Sequence, residues 1–294
     1  MRIFVTGATG FVGSAVVEEL VGAGHQVLGL ARNDAAADAL KLIGAEAHSG
    51  DLSTPESLSA GALKCDGVIH TAYNHDWSQV AAAAEMDRCA VETLGAALAG
   101  SDRPLVITSA IGLLSPGRPT TEDDAGDPHS LGAVRMPSEE KALALASDNV
   151  RSSIIRLPPV VHDRTKQGLV TRMIALARQT GASAYVDGGL NRWPAVHRRD
   201  AAQLFRLVLE KGAPGGRYHA IAEDGIALRA IAEAVGRLVN VPSVSKTPEE
   251  AASHYGFLAY FVTADFQASS TRTKDALGWH PTGRGLIADL ELAR

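Results

Sequence analysis

Two short stretches carry the residues best suited to chemistry. TGATGFVG (residues 6–13) places Gly7, Gly10 and Gly13 three apart, and HTAYNHDW (residues 70–77) gathers Tyr73, His75, Asp76 and Trp77 within five positions. Glycines at this spacing let the backbone turn tightly against a pyrophosphate, which rests on the free N–H groups and positive end of a following helix. Thr9, Phe11 and Val12 belong to the same turn and helix start. His75 beside Asp76 offers acid–base chemistry, because imidazole titrates near about pH 6.5 and a neighbouring carboxylate raises that value. The plainer alternative is a loop whose adjacent side chains point apart, with Tyr73 packing against a ligand and donating no proton.

The elements around these stretches alternate. RIFVTG reads as a strand ending in glycine, and GSAVVEELVGAG as a helix with Val16, Val17, Leu20 and Val21 on one face and a glycine stop. HQVLGLAR, AEAHSGDL, DGVIHTAY and PLVITSAIG follow as strands, with helices at DAAADALKLIG and at the Ala-rich 78–99. Such alternation predicts an α/β fold, a parallel doubly wound sheet whose ligands bind at the carboxyl ends of its strands. After RSSIIRLPPVV the loops lengthen and helices 200–211 and 227–239 stand among short strand-like pieces. The expected division is a dinucleotide-binding domain over 1–160, with a strand and helix over about 190–211 returning to its sheet. A smaller substrate-binding domain takes 161–189 and 212–294.

The bulk properties narrow the function. The chain has 294 residues, 46% of them hydrophobic, which is enough to bury a core without covalent staples. Its net charge of −5 comes without a basic block, so no nucleic-acid partner is expected. No apolar run reaches the roughly 20 residues that span a bilayer, and Met1 leads straight into a strand, so no membrane association and a cytoplasmic location are expected. Cys65 and Cys89 read as reduced small hydrophobes, and no metal site is expected.

With GDL at 50–52, VIHTA at 68–72, TSA at 108–110, IIRLPPVVH at 154–162, PAVHRRDAA at 194–202 and LGWHPT at 277–282, the chain resembles the extended short-chain dehydrogenase/reductases. The likeness is to the NAD(P)-dependent epimerase/dehydratase type, over nearly the whole length. The resemblance implies a Rossmann domain and a small substrate domain. It implies Asp51 and Leu52 at the adenine, Thr71 and Ala72 along the ribose–phosphate path, and Pro158 to Val160 near the nicotinamide. It also implies that Ser109 polarises the substrate, that His197 and Asp200 join the two domains, and that helix 78–99 pairs two copies in a homodimer.

Nicotinamide choice turns on the end of the second strand. A carboxylate about 20 residues past the glycines would bond a ribose 2′-hydroxyl, whereas Arg32 stands there and can clamp a 2′-phosphate. NADP is therefore expected. Asp34 keeps NAD open as the other reading.

The resembled family carries a Tyr-x-x-x-Lys pair on the helix after Ser109. Here the matching run is RMPSE, which puts Arg135 at the tyrosine position and Glu139 at the lysine position. Shifting to Lys141 puts Pro137 where the acid belongs. An arginine whose pKa stays above about 12 cannot relay a proton at neutrality, but it can bind an anion or polarise a carbonyl. Arg135 and Glu139, four apart, either form a structural ion pair or hold the ribose with charges exchanged, leaving the proton to His75 or its neighbours.

His162 either reaches the substrate cavity or is a hydrogen-bonded strand end. Trp193, Tyr185, Tyr255, Phe257, Tyr260 and Phe261 line a pocket or fill a core. The expected function is hydride transfer between NADP(H) and a carbonyl, alcohol or imine carbon of a small organic substrate. An epimerase or dehydratase that retains its cofactor, and a non-catalytic dinucleotide sensor, are the alternatives.

Overall fold

The computed structural model describes residues 1–76 and 78–293; Trp77, one of the loop residues singled out above, lies outside the described residues. The first part alternates as the pattern predicts: β1 (Arg2–Thr6), α1 (Phe11–Gly22), β2 (Gln26–Ala31), α2 (Asp34–Leu42), β3 (Glu46–Ser49), α3 (Pro55–Leu63), β4 (Gly67–His70), α4 (Val80–Leu98), β5 (Pro104–Ala110), α5 (Met136–Ala144) and β6 (Arg151–Leu157). Then come β7 (Val160–Asp163), β8 (Lys166–Gln167), α6 (Val170–Thr180), β9 (Ser183–Val186), β10 (Arg192–His197), α7 (Arg198–Lys211), β11 (Gly216–His219), β12 (Glu223–Ala227), α8 (Leu228–Val239), β13 (Ser243–Lys246), α9 (Pro248–Tyr255), α10 (Ala259–Thr263), α11 (Thr271–Leu277) and α12 (Leu286–Leu292).

The main sheet has the order β11-β6-β5-β4-β1-β2-β3, with every neighbouring pair parallel. Strand order reverses between β1 and β4, and the crevice that opens at such a switch point is where doubly wound sheets bind ligands. Val16, Val17 and Leu20 on α1 are fully buried with Ile3, Val5 and, from α7, Leu204 and Phe205. Burial of such a side chain contributes about 1.5–3 kcal/mol. On the other face, Phe4, Val68 and Leu105 meet Leu58 of α3 and Val91, Leu94 and Leu98 of α4.

The expected return to this sheet differs in detail. β10 joins a second sheet, of order β12-β10-β7-β8, while α7 alone packs back on α1 and the strand that extends the main sheet is β11. The reason lies in the burial of β7 and β10 on both faces. Val160, Trp193 and Ala195 enter one core, whereas Val161 and Val196 enter the other. A strand apolar on both faces reveals that it is central, not which sheet owns it. Trp193 and Tyr255 sit in the second core with their polar ends paired to the carbonyls of Phe261 and Ala184. Among the described residues, no helix is long and apolar enough to cross a membrane.

Candidate active site

The glycine turn is built for close approach. Gly7 has φ +67, and a Cβ there would come within 2.6 Å of the Ala72 nitrogen; one on Gly13 would overlap the Gly7 carbonyl oxygen. The ends of β1 and β4 are further tied by the Thr71 hydroxyl, which donates to the Thr6 carbonyl at 2.8 Å. Gly10 precedes α1 without any side-chain cap, so its first-turn N–H groups keep room for an external anion. Thr9 is exposed at the tip of the turn; Phe11 and Val12 are half-buried at the helix start. These observations fit a dinucleotide pyrophosphate.

At the far end of the crevice Arg32 is exposed at the tip of β2 and forms no ion pair among the described residues. Asn33 caps α2, accepting from the Ala36 N–H at 2.9 Å, which fixes Asp34 in the first helical turn. Asp51 accepts from the Ser53 N–H and hydroxyl at 2.9 and 2.7 Å. Those bonds hold its carboxyl below the usual range, and the nearby Arg32 charge adds to the effect. Leu52 packs on the core beneath.

Beyond β4, Tyr73 and His75 meet edge to face with centroids 5.3 Å apart, and the Arg135 guanidinium lies 4.1 Å from the Tyr73 ring centroid. Arg135 donates to the Thr108 carbonyl at 2.8 Å and stands 3.6 Å from Asp87 Oδ2, while its buried Nε has no partner. The expected coupling of His75 to Asp76 does not form. Asp76 turns to Ser78 and Gln79, accepting at 2.6 Å from the Ser78 hydroxyl. The His75 pKa is accordingly pushed down, not up: the atoms crowding the inner side of this surface residue, then the Arg135 charge, disfavour the imidazolium.

The Arg135–Glu139 pair is also absent. Pro137 opens α5, leaving Arg135 in a preceding 3-10 turn (Leu131–Arg135), from which it reaches towards α4 and β5. Glu139 faces the other way and takes the buried Arg156 guanidinium on both oxygens, at 2.9 and 2.8 Å. Only 4% exposed, its carboxyl is engaged within the protein, which removes the expectation that it holds a ribose. Burial would raise the Glu139 pKa, but Arg156 outweighs it and the group stays ionised. Lys141 leaves the site altogether for Glu92, at 3.0 Å.

Ser109 lies near the carboxyl end of β5, 2% exposed, in register with Arg156 on β6. Its hydroxyl is near enough to Glu139 to help keep that carboxylate ionised. No well-formed hydrogen bond satisfies it. Pro158 lies on the link from β6 to β7 and Val160 opens β7, both buried, with the Val160 side chain in the second core.

Two buried polar chains escaped the sequence reading. In the first, His70 Nδ1 is 2.7 Å from the Thr6 hydroxyl and Nε2 is 3.2 Å from Asp87 Oδ1, with His70 and Asp87 each 1% exposed. Burial works to raise the Asp87 pKa, yet His70 and Arg135 bring it below the ordinary range. The signal was present: Asp87 is the one charge on a buried helical face otherwise made of Ala83, Ala84, Ala90, Val91 and Leu94. In the second chain Arg156, fully buried, continues to the Asp124 carbonyl at 2.8 Å and to His219 at 3.5 Å. Burial drives the His219 pKa down to about 4 despite the opposing charge of Glu122.

His162 and Asp200 join distant segments. His162 pairs with Asp289 at 2.8 Å, and Asp200 accepts from the Thr282 and Gly283 N–H groups at 3.0 and 2.9 Å, fastening the C-terminal segment against α7. His197 accepts from the Arg199 N–H at the start of that helix.

The profile of the NAD dependent epimerase/dehydratase family matches residues 3–221. An uncharacterized protein of Schizosaccharomyces pombe is 44% identical over 291 residues, covering 99% of this chain and 98% of its own length. A 4-hydroxy-2-methyl-3-oxo-4-farnesyl-3,4-dihydroquinoline-1-oxide ketoreductase of Stigmatella aurantiaca is 27% identical over 271 residues, covering 87% and 80%. Among solved structures, the dTDP-glucose 4,6-dehydratase DesIV of Streptomyces venezuelae, with NAD and TYD bound, superposes with a TM-score of 0.77 at 18% identity, covering 99% of this chain and 96% of that one.

Proposed function

The chain belongs to the NAD dependent epimerase/dehydratase family, and from that premise we propose that it is an NADP-dependent oxidoreductase acting on a carbonyl, alcohol or imine carbon of a small organic substrate. One observation carries the reading. The glycine cradle and two buried donors without a well-formed hydrogen bond, Ser109 Oγ and Arg135 Nε, belong to one end of the main sheet, beside its switch point. Buried polar groups are normally paired, and unpaired ones mark places where something else binds.

Gly7, Gly10, Gly13, Thr71 and Ala72 would receive the pyrophosphate, Arg32 the 2′-phosphate, and Asp51 with Leu52 the adenine side. A bound nicotinamide supplies hydride chemistry, so the protein needs only to orient it and manage one proton. Ser109 and Arg135 each have a hydrogen to donate to a substrate oxygen, and such preorganised donors stabilise charge developing there. Arg135 does not release its proton. His75, held neutral near pH 7, exchanges the proton with solvent in this scheme; an imine substrate would lessen that need. Tyr73 serves as the platform on which Arg135 lies. Two copies would pair through the outer face of α4.

The test is a titration of NADPH and NADH against the purified protein, followed by a screen of carbonyls, imines and alcohols for dinucleotide turnover. Binding of neither nucleotide sinks the reading. Tight binding with no turnover across the screen replaces it with a dinucleotide sensor.

A further inference from the structure

Arg135 stands on a surface turn, yet its guanidinium is held from the core. The 3-10 turn Leu131–Arg135 buries none of its own residues, and Leu131 and Val134 are 44% and 41% exposed. Packing of such a turn leaves a long side chain free to sample its rotamers. The guanidinium is fixed by what it meets instead. It donates to the Thr108 carbonyl at 2.8 Å, lies 4.1 Å from the Tyr73 ring centroid and stands 3.6 Å from Asp87 Oδ2. The carbonyl and the ring are neutral. Asp87 is a charge only 1% exposed, and attraction between charges is far stronger in so dry a setting than in water.

Asp87 is itself braced. Its Oδ1 is 3.2 Å from His70 Nε2, and His70 Nδ1 is 2.7 Å from the Thr6 hydroxyl, so α4, β4 and β1 together set the carboxylate. Hydroxyl, imidazole and carboxylate in this order resemble a nucleophilic triad. Thr6 is fully buried, however, and its oxygen also takes the Ala72 N–H at 3.4 Å, so no substrate reaches it. The chain holds and does not react.

We propose that Asp87 is the positioning residue of this site: braced through His70 and Thr6, its carboxylate sets Arg135 against Tyr73 and readies Nε for a substrate oxygen. That Nε is buried and has no acceptor among the described residues. A donor fixed before the substrate arrives stabilises developing charge without reorganising. The substrate role rests on the oxidoreductase reading above; the hold on Arg135 does not.

His75 serves as the probe, because it packs on the same Tyr73 ring at 5.3 Å between centroids. The experiment follows its imidazole by NMR titration in wild type, Asp87→Asn, Asp87→Ala, Arg135→Gln and the Asp87→Asn/Arg135→Gln double variant. The Arg135 charge lowers the His75 pKa, so Arg135→Gln should raise the midpoint. Removing the Asp87 charge has, by itself, the opposite sign, since a lost negative charge disfavours a nearby imidazolium. With its hold gone, the guanidinium leaves Tyr73, and the midpoint in the Asp87 variants is expected to rise towards that of Arg135→Gln. The double variant should match Arg135→Gln, because the two residues act as one unit. A midpoint that falls or stays put in the Asp87 variants, or shifts that add in the double variant, would overturn the proposal. Asp87→Asn keeps the side-chain shape, so the test does not depend on Asp87→Ala folding. Where the screen of carbonyls, imines and alcohols finds turnover, the Asp87 variants should lose kcat as Arg135→Gln does; kcat unchanged in a variant whose His75 has shifted overturns the positioning role. A rise in the Asp87 variants with no turnover across the screen upholds the hold on Arg135 and overturns the oxidoreductase reading.

Discussion

Asp87 Oδ2 lies 3.6 Å from Arg135 Nη2 while Oδ1 of the same carboxylate lies 3.2 Å from His70 Nε2. One buried charge thus links the strand beside the glycine turn to Arg135. Thr6, bonded to His70 and adjacent to Gly7, completes a path from the cradle to Arg135.

Removing that charge should loosen both ends. Asp87→Asn keeps the shape but leaves Arg135 without its counterion, at an expected cost of about 1–3 kcal/mol; Asp87→Ala should cost about 3–5 kcal/mol. Urea denaturation measures both. Equal stability of Asp87→Asn and wild type would show that the carboxylate is not ionised against Arg135.

Ser109→Ala should separate function from stability. The hydroxyl is buried without a well-formed hydrogen bond and only assists Glu139, so its desolvation penalty and its help to Glu139 largely offset, and the variant is expected to be within about 1 kcal/mol of wild type. Turnover on a substrate found by screening should nevertheless fall. A clear drop in thermal midpoint with turnover intact would make Ser109 structural.

The proposed preference for NADP rests on Arg32. Loss of a charged hydrogen bond to a 2′-phosphate should weaken NADPH by about 1.5–3 kcal/mol in Arg32→Ala, with NADH affinity nearly unchanged. Isothermal titration of both nucleotides decides the matter, and wild type binding NADH as tightly as NADPH rejects the assignment.

The pH profile reports on His75. Its pKa lies below the ordinary 6.5, so the protonated form needed for reduction grows only as pH falls through the region under that value. Reduction kcat/KM should therefore rise on the acid side, and His75→Ala should remove that limb with a loss of about 10²–10⁴-fold. A profile identical in the variant assigns the proton elsewhere.

Acid stability should follow His219. Its folded pKa, about 4, lies below the unfolded value, so between those values the unfolded chain binds more protons and stability falls as pH drops from about 6.5 towards 4. His219→Gln should flatten that decline. Urea midpoints across the range test this, and an unchanged slope would place the acid sensitivity in other groups, such as His162, whose pKa is likewise lowered by burial.

The sequence by itself determined the Rossmann order and the position of the glycine cradle. Both follow from local rules: helix and strand periods are read from neighbouring residues, and Gly7 and Gly13 are required where any Cβ would collide. It also marked Arg32, Ser109 and Arg135 by position. Which side chains meet was decided by the tertiary structure. Asp76 met Ser78 instead of His75, Glu139 met Arg156 instead of Arg135, and Asp87 in an alanine-rich helix met His70. Ion pairs depend on side-chain direction and on partners distant along the chain: 17 residues separate His70 from Asp87, and 17 separate Glu139 from Arg156. Adjacency in sequence carries little information about them.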